Sequence, residues 1–140
     1  MMQQNYGNHK KIDPLYHYVL ALLTLLVLVG SVWFLIASGG GLEGLLLLVI
    51  ALAMVIIVVL VRSYALKAQD RAIRAEENMR HYMLTGKPHD PRLTIGQIIA
   101  LRFAGDEEFA DLSRRAAEER LQPNDIKKAV TQWRADHNRL

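Results

Sequence analysis

The chain of 140 residues contains no cysteine. It can therefore form no disulfide bond, thiolate zinc site or iron–sulfur cluster. Charge is also missing from a long stretch, because Glu43 is the only Asp, Glu, Lys or Arg between Asp13 and Arg62. Residues 62–140, in contrast, hold fifteen of the seventeen Lys and Arg residues. A stretch this poor in charge does not suit one water-soluble globule, so we predict a small membrane protein with a charged tail.

Two apolar runs within this stretch predict membrane-spanning helices. As a helix, residues 15–37 would extend about 34 Å, enough to cross a hydrocarbon core of about 30 Å. Residues 45–61 form the second run. Helices are expected because a lone strand in lipid leaves its backbone unpaired. A cleaved signal peptide is an alternative for the first run, but that run exceeds the usual apolar length of about 7–15 residues.

The basic residues around these runs predict the orientation. Lys10 and Lys11 precede the first run, Arg62 and Lys67 follow the second, and the connection 38–44 carries neither Lys nor Arg. This positive-inside bias predicts a bacterial inner-membrane protein with both termini in the cytoplasm. The predicted membrane-interface anchors are Lys10, Lys11, Tyr16, His17, Tyr18, Arg62 and Lys67.

The connection also matches the nucleotide-binding pattern G-x-G-x-x-G through Gly39, Gly41 and Gly44. That pattern binds pyrophosphate only between a strand and the helix that follows it. Between two membrane helices it predicts an external, flexible turn.

The second span is expected to continue as a helix into the cytoplasm. Residues 62–85 contain neither Pro nor Gly, and Gly86 and Pro88 then supply a helix stop. An a/d heptad pattern crosses the membrane boundary, and its small residues permit close helix packing. Two arrangements fit this pattern: packing between helices of one chain, or packing between two copies in which Arg71 faces Glu76 of the other copy. The predicted seam is Gly44, Ala51, Val58, Ala65, Ala68, Ala72, Ala75 and Met79.

Three short helices are predicted in the tail. Thr94 and Gln97 match a capping box that opens the first, which is expected to end near residue 104. The second is predicted over 106–120 with acids in its first turn, and the third begins at Pro123 and includes Trp133. Domains of this size are marginally stable alone, so these helices should dock on another surface. Residues 94–140 hold eight basic and eight acidic residues, which disfavours a DNA-binding helix-turn-helix.

No pattern in the sequence predicts catalysis. The five histidines lack metal-binding spacings, and the paired acids are adjacent on helices, where their side chains point about 100° apart. We therefore predict a protein that is not an enzyme, with no catalytic residues, no cofactor, no metal, no nucleic-acid partner and no identified small-molecule substrate.

Several blocks of sequence together resemble a family of small two-span bacterial membrane proteins catalogued as a domain of unknown function. The resemblance covers nearly the whole chain and implies two spans and a cytoplasmic helical tail, without catalytic residues or a ligand to transfer. The blocks are Gln4-Asn5-Tyr6-Gly7-Asn8-His9, Pro14-Leu15-Tyr16-His17, Gln69-Asp70-Arg71-Ala72-Ile73-Arg74, Leu84-Thr85-Gly86, Gln97-Ile98-Ile99-Ala100-Leu101-Arg102-Phe103-Ala104-Gly105-Asp106-Glu107-Glu108 and Ile126-Lys127-Lys128-Ala129-Val130.

The predicted fold is all-α: a transmembrane helical hairpin whose second helix extends into the cytoplasm, followed by three short cytoplasmic helices. The predicted segments are a polar tail (1–14), the first span (15–37), the turn (38–44), the second span (45–61), its cytoplasmic extension (62–85) and a helical module (86–140).

The predicted function is that of a non-catalytic accessory or adaptor subunit of a larger membrane complex. Its partners would be the lipid bilayer and other membrane-protein subunits or a second copy of the chain. The alternative is a self-associating sensor or small transport element packed through the seam. A possible protein-contact network comprises Arg71, Arg74, Glu76, Arg80, Arg102 and Asp106.

Overall fold

The computed structural model describes residues 5–7 and 13–136, and every regular element in these ranges is helical. A π-helical turn (Leu15–Leu20) leads into α1 (Ala21–Ala37) and is followed by the long α2 (Leu42–Thr85). Three short helices complete the chain: α3 (Ile95–Leu101), α4 (Asp106–Glu118) and α5 (Pro123–Ala129). The chain divides into an apolar unit of residues 12–65 and a polar unit of residues 1–11 and 66–140.

The apolar unit contains α1 and the first part of α2. Leu15–Ala37 and Leu42–Thr85 are both long and apolar enough to cross a membrane. Their large side chains are mostly exposed, as with Leu22 at 57% and Ile50 at 56%. A core helix of a soluble protein would bury such side chains, so this exposure is compatible with a membrane protein.

Close contacts join the two helices of the apolar unit. A Cβ built on Gly44 would lie 2.8 Å from the Leu35 Cα, a separation that real Cβ atoms do not reach. Elsewhere along the pair, the Tyr16 hydroxyl donates a hydrogen bond of 2.9 Å to the Val58 carbonyl. Glycine at 44 therefore permits a backbone approach that any other residue would prevent.

Two buried polar side chains on α1 satisfy their own hydrogen bonds. The Thr24 hydroxyl donates to the Leu20 carbonyl at 2.7 Å, and the Ser31 hydroxyl donates to the Leu28 carbonyl at 2.8 Å. Both hydroxyls therefore bond to carbonyls one turn earlier in the chain, which satisfies them without a partner helix.

The turn between α1 and α2 is shorter than the predicted 38–44. Gly39 and Gly40 adopt positive φ values of 71° and 82°, which suit glycine, and α2 already begins at Leu42. Glu43 and Gly44 thus belong to the first turn of α2. An acidic residue there is favourable because the helix N-terminus carries partial positive charge.

In the polar unit, α2 ends and α3 begins as the sequence predicts. Gly86 has a φ of 72° and donates to the Tyr82 carbonyl at 2.8 Å, so it forms the C-terminal cap. Thr94 and Gln97 form the predicted capping box. The Gln97 amide nitrogen also donates to the Ala116 and Leu121 carbonyls, at 3.0 and 2.9 Å. One buried amide therefore caps α3 and holds the end of α4.

The core of the polar unit lies between α3, α4 and α5. Its fully buried large side chains come from all three helices and their connections. They are Leu101, Phe103, Phe109 and Ile126. The short helices thus bury apolar side chains against one another, whereas the sequence predicted docking on another surface.

All three short helices end earlier than predicted, with α4 stopping at Glu118 instead of residue 120. α3 stops at Leu101, and α5 stops at Ala129, because Val130 adopts an extended conformation. Trp133 therefore does not continue the helical stripe; it lies in an isolated antiparallel bridge opposite Ala104. Its ring packs on Phe103 with the centroids 5.1 Å apart.

Glu108 stabilises the chain after α5. Its carboxylate accepts hydrogen bonds from the Thr131 and Gln132 backbone N–H groups, and from the Thr131 hydroxyl at 2.6 Å. Partial burial raises the pKa of Glu108, but these donors outweigh it and hold the pKa below its ordinary value. Glu108, near the start of α4, thus accepts hydrogen bonds from backbone N–H groups that follow the end of α5.

Gly44 provides a test of the helix packing in the apolar unit. We expect Gly44→Ala to destabilise the unit by about 1–3 kcal/mol, because the new methyl group meets backbone rather than a flexible side chain. The measurement is unfolding of the purified protein by sodium dodecyl sulfate in mixed micelles, followed by near-ultraviolet circular dichroism. The control is Gly30→Ala, since a Cβ at Gly30 would have no neighbour within 4 Å. Equal midpoints for the two variants would contradict the prediction.

Candidate functional site

The best-connected polar side chain of the polar unit is Arg80, which joins α2 to the start of α4. Its Nε and Nη2 donate to Asp106 Oδ1 at 2.8 and 2.5 Å, and Nη2 also donates to the Ala104 carbonyl at 2.7 Å. The guanidinium lies over the Phe109 ring, 4.1 Å from its centroid. Arg80 thus combines a charged pair, a backbone contact and a cation–π contact.

Glu77 neutralises Arg80 from within α2. Its carboxylate accepts from Arg80 Nη1 at 3.0 Å, and the two side chains are only 7% and 11% exposed. Arg134, which follows α5, places Nη1 3.6 Å from the same carboxylate. A buried carboxylate needs such partners, since an unpaired buried charge costs several kcal/mol. These residues form a charged junction, which we define as Glu77, Arg80, Asp106 and Arg134.

The six residues of the predicted contact network do not form one network. Arg80 and Asp106 are joined directly. Arg102 instead has Asp136 at 3.0 Å and lies over the Phe103 ring. Arg71 and Arg74 line a cavity, and Glu76 lines a separate groove.

The sequence indicated neither the pairing of Glu77 with Arg80 nor that of Arg134 with Glu77. Glu76 lies four residues before Arg80, and Glu77 lies three residues after Arg74; both spacings also allow side chains on a helix to pair. The structure instead pairs Glu77 with Arg80, three residues later on the same helix. The i, i+4, i+7 spacing of Ile73, Glu77 and Arg80 could have indicated this pairing. It places the three residues on one side of α2, which is the side that α3–α5 cover.

A pair of histidines lies beside this junction and was not singled out from the sequence. The His81 and His89 rings are 4.4 Å apart, and both make edge contacts with Phe109. His89 Nδ1 lies 3.1 Å from the Ser113 hydroxyl, while its backbone N–H donates to Asn78 Oδ1 at 3.0 Å. Eight positions and a turn separate the two histidines, so no helical spacing brings them together.

His89 is held in its neutral form. Burial lowers the pKa of His89 from its ordinary 6.5 to about 4; the positive field of His81 acts in the same direction, and the Glu77 backbone carbonyl opposes it. The buried Nε2 makes no hydrogen bond within residues 13–136. No group of three or more potential metal ligands occurs among the described residues, so the histidine pair is best described as part of the packing.

The predicted seam divides between the two units. In the apolar unit Gly44 and Ala51 are buried, and Val58 and Ala65 are half-buried. In the polar unit the seam is exposed, with Met79 at 61%. The larger side chains of Tyr82 and Met83 beside it are exposed as well, at 56% and 78%. The exposed seam residues are Ala68, Ala72, Ala75 and Met79.

In the polar unit, the exposed seam and the side of α2 that packs against α3–α5 lie on different sides of the helix. Ile73 and Glu77 are buried there, and at 100° per residue Ala75 lies about 160° around the helix axis from Ile73. An open groove of about 700 Å³ runs along this side, between Met79, Met83 and the charged junction. Unit 66–140 thus leaves an apolar helix face uncovered, which we call the exposed face: Ala68, Ala72, Ala75, Met79, Tyr82 and Met83.

The predicted interface anchors have different surroundings in the structure. Arg62 lies over the Tyr16 ring, 5.2 Å from its centroid, and Tyr16 donates to the Val58 carbonyl. His17 Nδ1 lies 2.9 Å from the Asp13 carbonyl, and Tyr18 is exposed, as is Lys67 in the polar unit. Lys10 and Lys11 lie outside the described residues.

The chain belongs to the Family of unknown function (DUF6526), whose model matches residues 1–140. No curated protein and no solved structure matches the chain. The family therefore adds no ligand or reaction to the geometry described above.

Arg80 provides a test of the charged junction. We expect Arg80→Met to destabilise the polar unit by about 3 kcal/mol, because it leaves Glu77 buried with only the distant Arg134 as a cationic partner. Hydrogen exchange of the full-length protein in detergent, read on peptides from α3 to α5, measures the loss. The control is Arg114→Met, since Arg114 makes only exposed pairs on α4. Equal exchange in both variants would show that the junction does not stabilise the unit.

The lowered pKa of His89 predicts that the stability of the folded protein depends on pH. Because its pKa is lower in the folded protein, the unfolded chain binds the proton first, and stability should fall as the pH drops from about 6.5 towards 4. The same exchange experiment between pH 7 and 5 avoids most carboxylate titration. His89→Asn, which keeps a polar group near the Nδ1 position, should flatten the dependence, and His17→Asn should leave it unchanged. An unaltered slope in His89→Asn would contradict this assignment.

Proposed function

We propose that this member of the DUF6526 family is an integral membrane adaptor that binds another membrane protein through the exposed face of α2. The single observation that carries the proposal is the exposure of Met79, Tyr82 and Met83 in the charge-rich part of the chain. Apolar faces of this kind in water mark protein or membrane contacts. Methionines suit a partner surface because their flexible side chains adapt to different shapes.

The proposed topology is a transmembrane hairpin with both termini in the cytoplasm. Its support is the length and apolar exposure of Leu15–Ala37 and of the first part of α2, and the asymmetry of basic residues around them. In this topology Arg62 and Lys67 lie at the cytoplasmic surface. The bacterial inner membrane is the location that this arrangement favours.

The occupant we propose for the exposed face is an amphipathic helix of the partner. A helix can lay its apolar side along Ala72, Ala75 and Met79, and the two small alanines allow the backbones to approach closely. Glu76 lies beside this line, is exposed, and makes no ion pair within residues 13–136. A basic residue on the partner helix would complement it.

The charged junction has a supporting role in this proposal. It holds α4 against α2 through Arg80, so that α3–α5 cover one side of α2 and leave the exposed face uncovered. The function proposed is therefore non-catalytic: the membrane helices anchor the chain, and the polar unit presents a rigid helix face.

Affinity purification tests the proposal. The tagged protein is extracted from its host in gentle detergent, and we expect a stoichiometric membrane-protein partner. Met79→Glu with Met83→Glu should remove that partner without unfolding the protein, because both side chains are exposed and a charge there opposes apolar contact. Met79→Leu with Met83→Leu is the matched control and should retain the partner. Recovery of a free monomer, or a partner retained by the glutamate variant, would count against the adaptor.

A second candidate is a self-associating sensor or small transport element, favoured by the same exposed a/d positions. Copies that share a membrane orientation bring their seams together in parallel, and Arg71 would then face Glu76 of the other copy. Oxidation of an Ala72→Cys variant in native membranes tests it, because the chain has no other cysteine. Crosslinked identical chains, absent in a Lys67→Cys control off the seam, would favour this candidate over the adaptor.

A further inference from the structure

A cavity of about 440 Å³ lies in the polar unit, between α2 and the loop that leads to α3. This volume lies within the range of about 300–1,000 Å³ that is typical of small-molecule sites. Its polar lining from α2 comprises Arg71, Arg74 and Asn78, and its apolar lining includes Ala75, Leu93 and Ile98. The loop supplies residues 88–91, two of which are prolines without a backbone N–H.

The two arginines share a face of α2 without a carboxylate partner. Neither Arg71 nor Arg74 makes an ion pair within residues 13–136, although Asp70 and Glu77 lie four residues before and three residues after Arg74. Glu77 binds Arg80 and Arg134 instead. Side chains three apart on a helix lie side by side, and like charges in that arrangement repel. A bound anion would relieve this repulsion.

Asn78 adds a neutral donor to the same face. Its Oδ1 accepts from the His89 backbone N–H at 3.0 Å, which fixes the orientation of the amide. The opposite side of the amide, Nδ2, keeps both hydrogens for another acceptor. Residues 71, 74 and 78 follow an i, i+3, i+7 spacing, so the three donors lie on one side of the helix.

The carboxylate in the cavity lining, Asp90, is already paired with a cation. Asp90 is engaged by the Arg92 guanidinium at 2.7 and 3.0 Å, and by the Arg92 backbone N–H at 2.9 Å. These contacts lower the pKa of Asp90 to about 2, so it remains an anion bound to Arg92. The cavity therefore keeps an excess of positive charge and hydrogen-bond donors.

From this arrangement we propose that the cavity binds a phosphoryl group, with Arg71, Arg74 and Asn78 as its donors. Guanidinium groups bind phosphate oxygens in pairs, which suits a dianion placed between two arginines. The apolar lining would hold the carbon part of a phosphorylated molecule. A soluble phosphate ester and a phospholipid headgroup share this chemistry, and the experiment distinguishes them.

The first test uses inorganic phosphate and pyrophosphate with the full-length protein in detergent. Calorimetric titration at constant ionic strength should detect binding of both, with chloride at the same ionic strength producing no signal. Arg71→Gln and Arg74→Gln should each weaken binding about tenfold, as expected for the loss of one charge-assisted hydrogen-bonding group. Arg115→Gln is the control, because Arg115 pairs only with Glu119 on the exposed side of α4, and it should change affinity less than twofold.

Asn78→Asp gives a second, nearly isosteric test. The aspartate can still accept from the His89 N–H, but it replaces the amide donor by a negative charge, so binding should fall at least tenfold while thermal stability is kept. Absence of phosphate and pyrophosphate binding, or affinities unchanged in the three cavity variants, would overturn the proposal. No partner protein is needed, so the result is independent of the adaptor test.

A competition experiment identifies the source of the phosphoryl group. The protein is placed in nanodiscs of phosphatidylcholine with or without phosphatidic acid, and pyrophosphate binding is measured again. Reduced pyrophosphate affinity of the wild-type protein with phosphatidic acid, together with equal, weaker affinities of Arg71→Gln in the two nanodiscs, would assign the cavity to a lipid headgroup. Equal affinity in both nanodiscs would assign it to a soluble phosphate ester.

Discussion

The arrangement of the polar unit depends on Arg80 and its buried partner Glu77. A guanidinium that is 11% exposed must be neutralised, and it finds Glu77 on its own helix and Asp106 at the start of α4. The same side chain lies over Phe109, which belongs to the core. The charge thus fixes the position of α4, and α4 in turn positions the histidine pair and the core. A hydrophobic residue at 80 could fill the space but could not specify this alignment.

Helix α2 meets different requirements along its length. In the apolar unit its small positions pack on α1, where Gly44 contacts the Leu35 backbone. In the polar unit the core lies against Ile73 and Glu77. The heptad pattern continues through both parts, but the short helices cover a different side of α2 from the one that the pattern marks. The side of α2 that stays uncovered thus carries small and apolar residues. For this reason we assign that side to a partner.

The sequence predicted the helices well because their signals are local. Gly86 ends α2 and the Thr94 capping box begins α3, each through hydrogen bonds to residues close in sequence. The pairing of the charged residues was not predictable in the same way. On α2, Arg80 has acidic neighbours at both 76 and 77, and only the tertiary packing selects Glu77. The approach of His81 to His89 likewise depends on the path of a loop, and this path cannot be predicted from sequence spacing.

The loop between α2 and α3 uses its own hydrogen-bond donors to maintain its shape. The Lys87 N–H binds the Thr85 hydroxyl, the His89 N–H binds Asn78, and the Arg92 N–H binds Asp90. Pro88 and Pro91 have no N–H to offer. The loop can therefore form a wall of the cavity while presenting few donors of its own, and this leaves recognition of an anion to the side chains of α2. Because the loop is anchored on Asn78, a ligand that binds Asn78 would also be felt at His89 and the adjoining core.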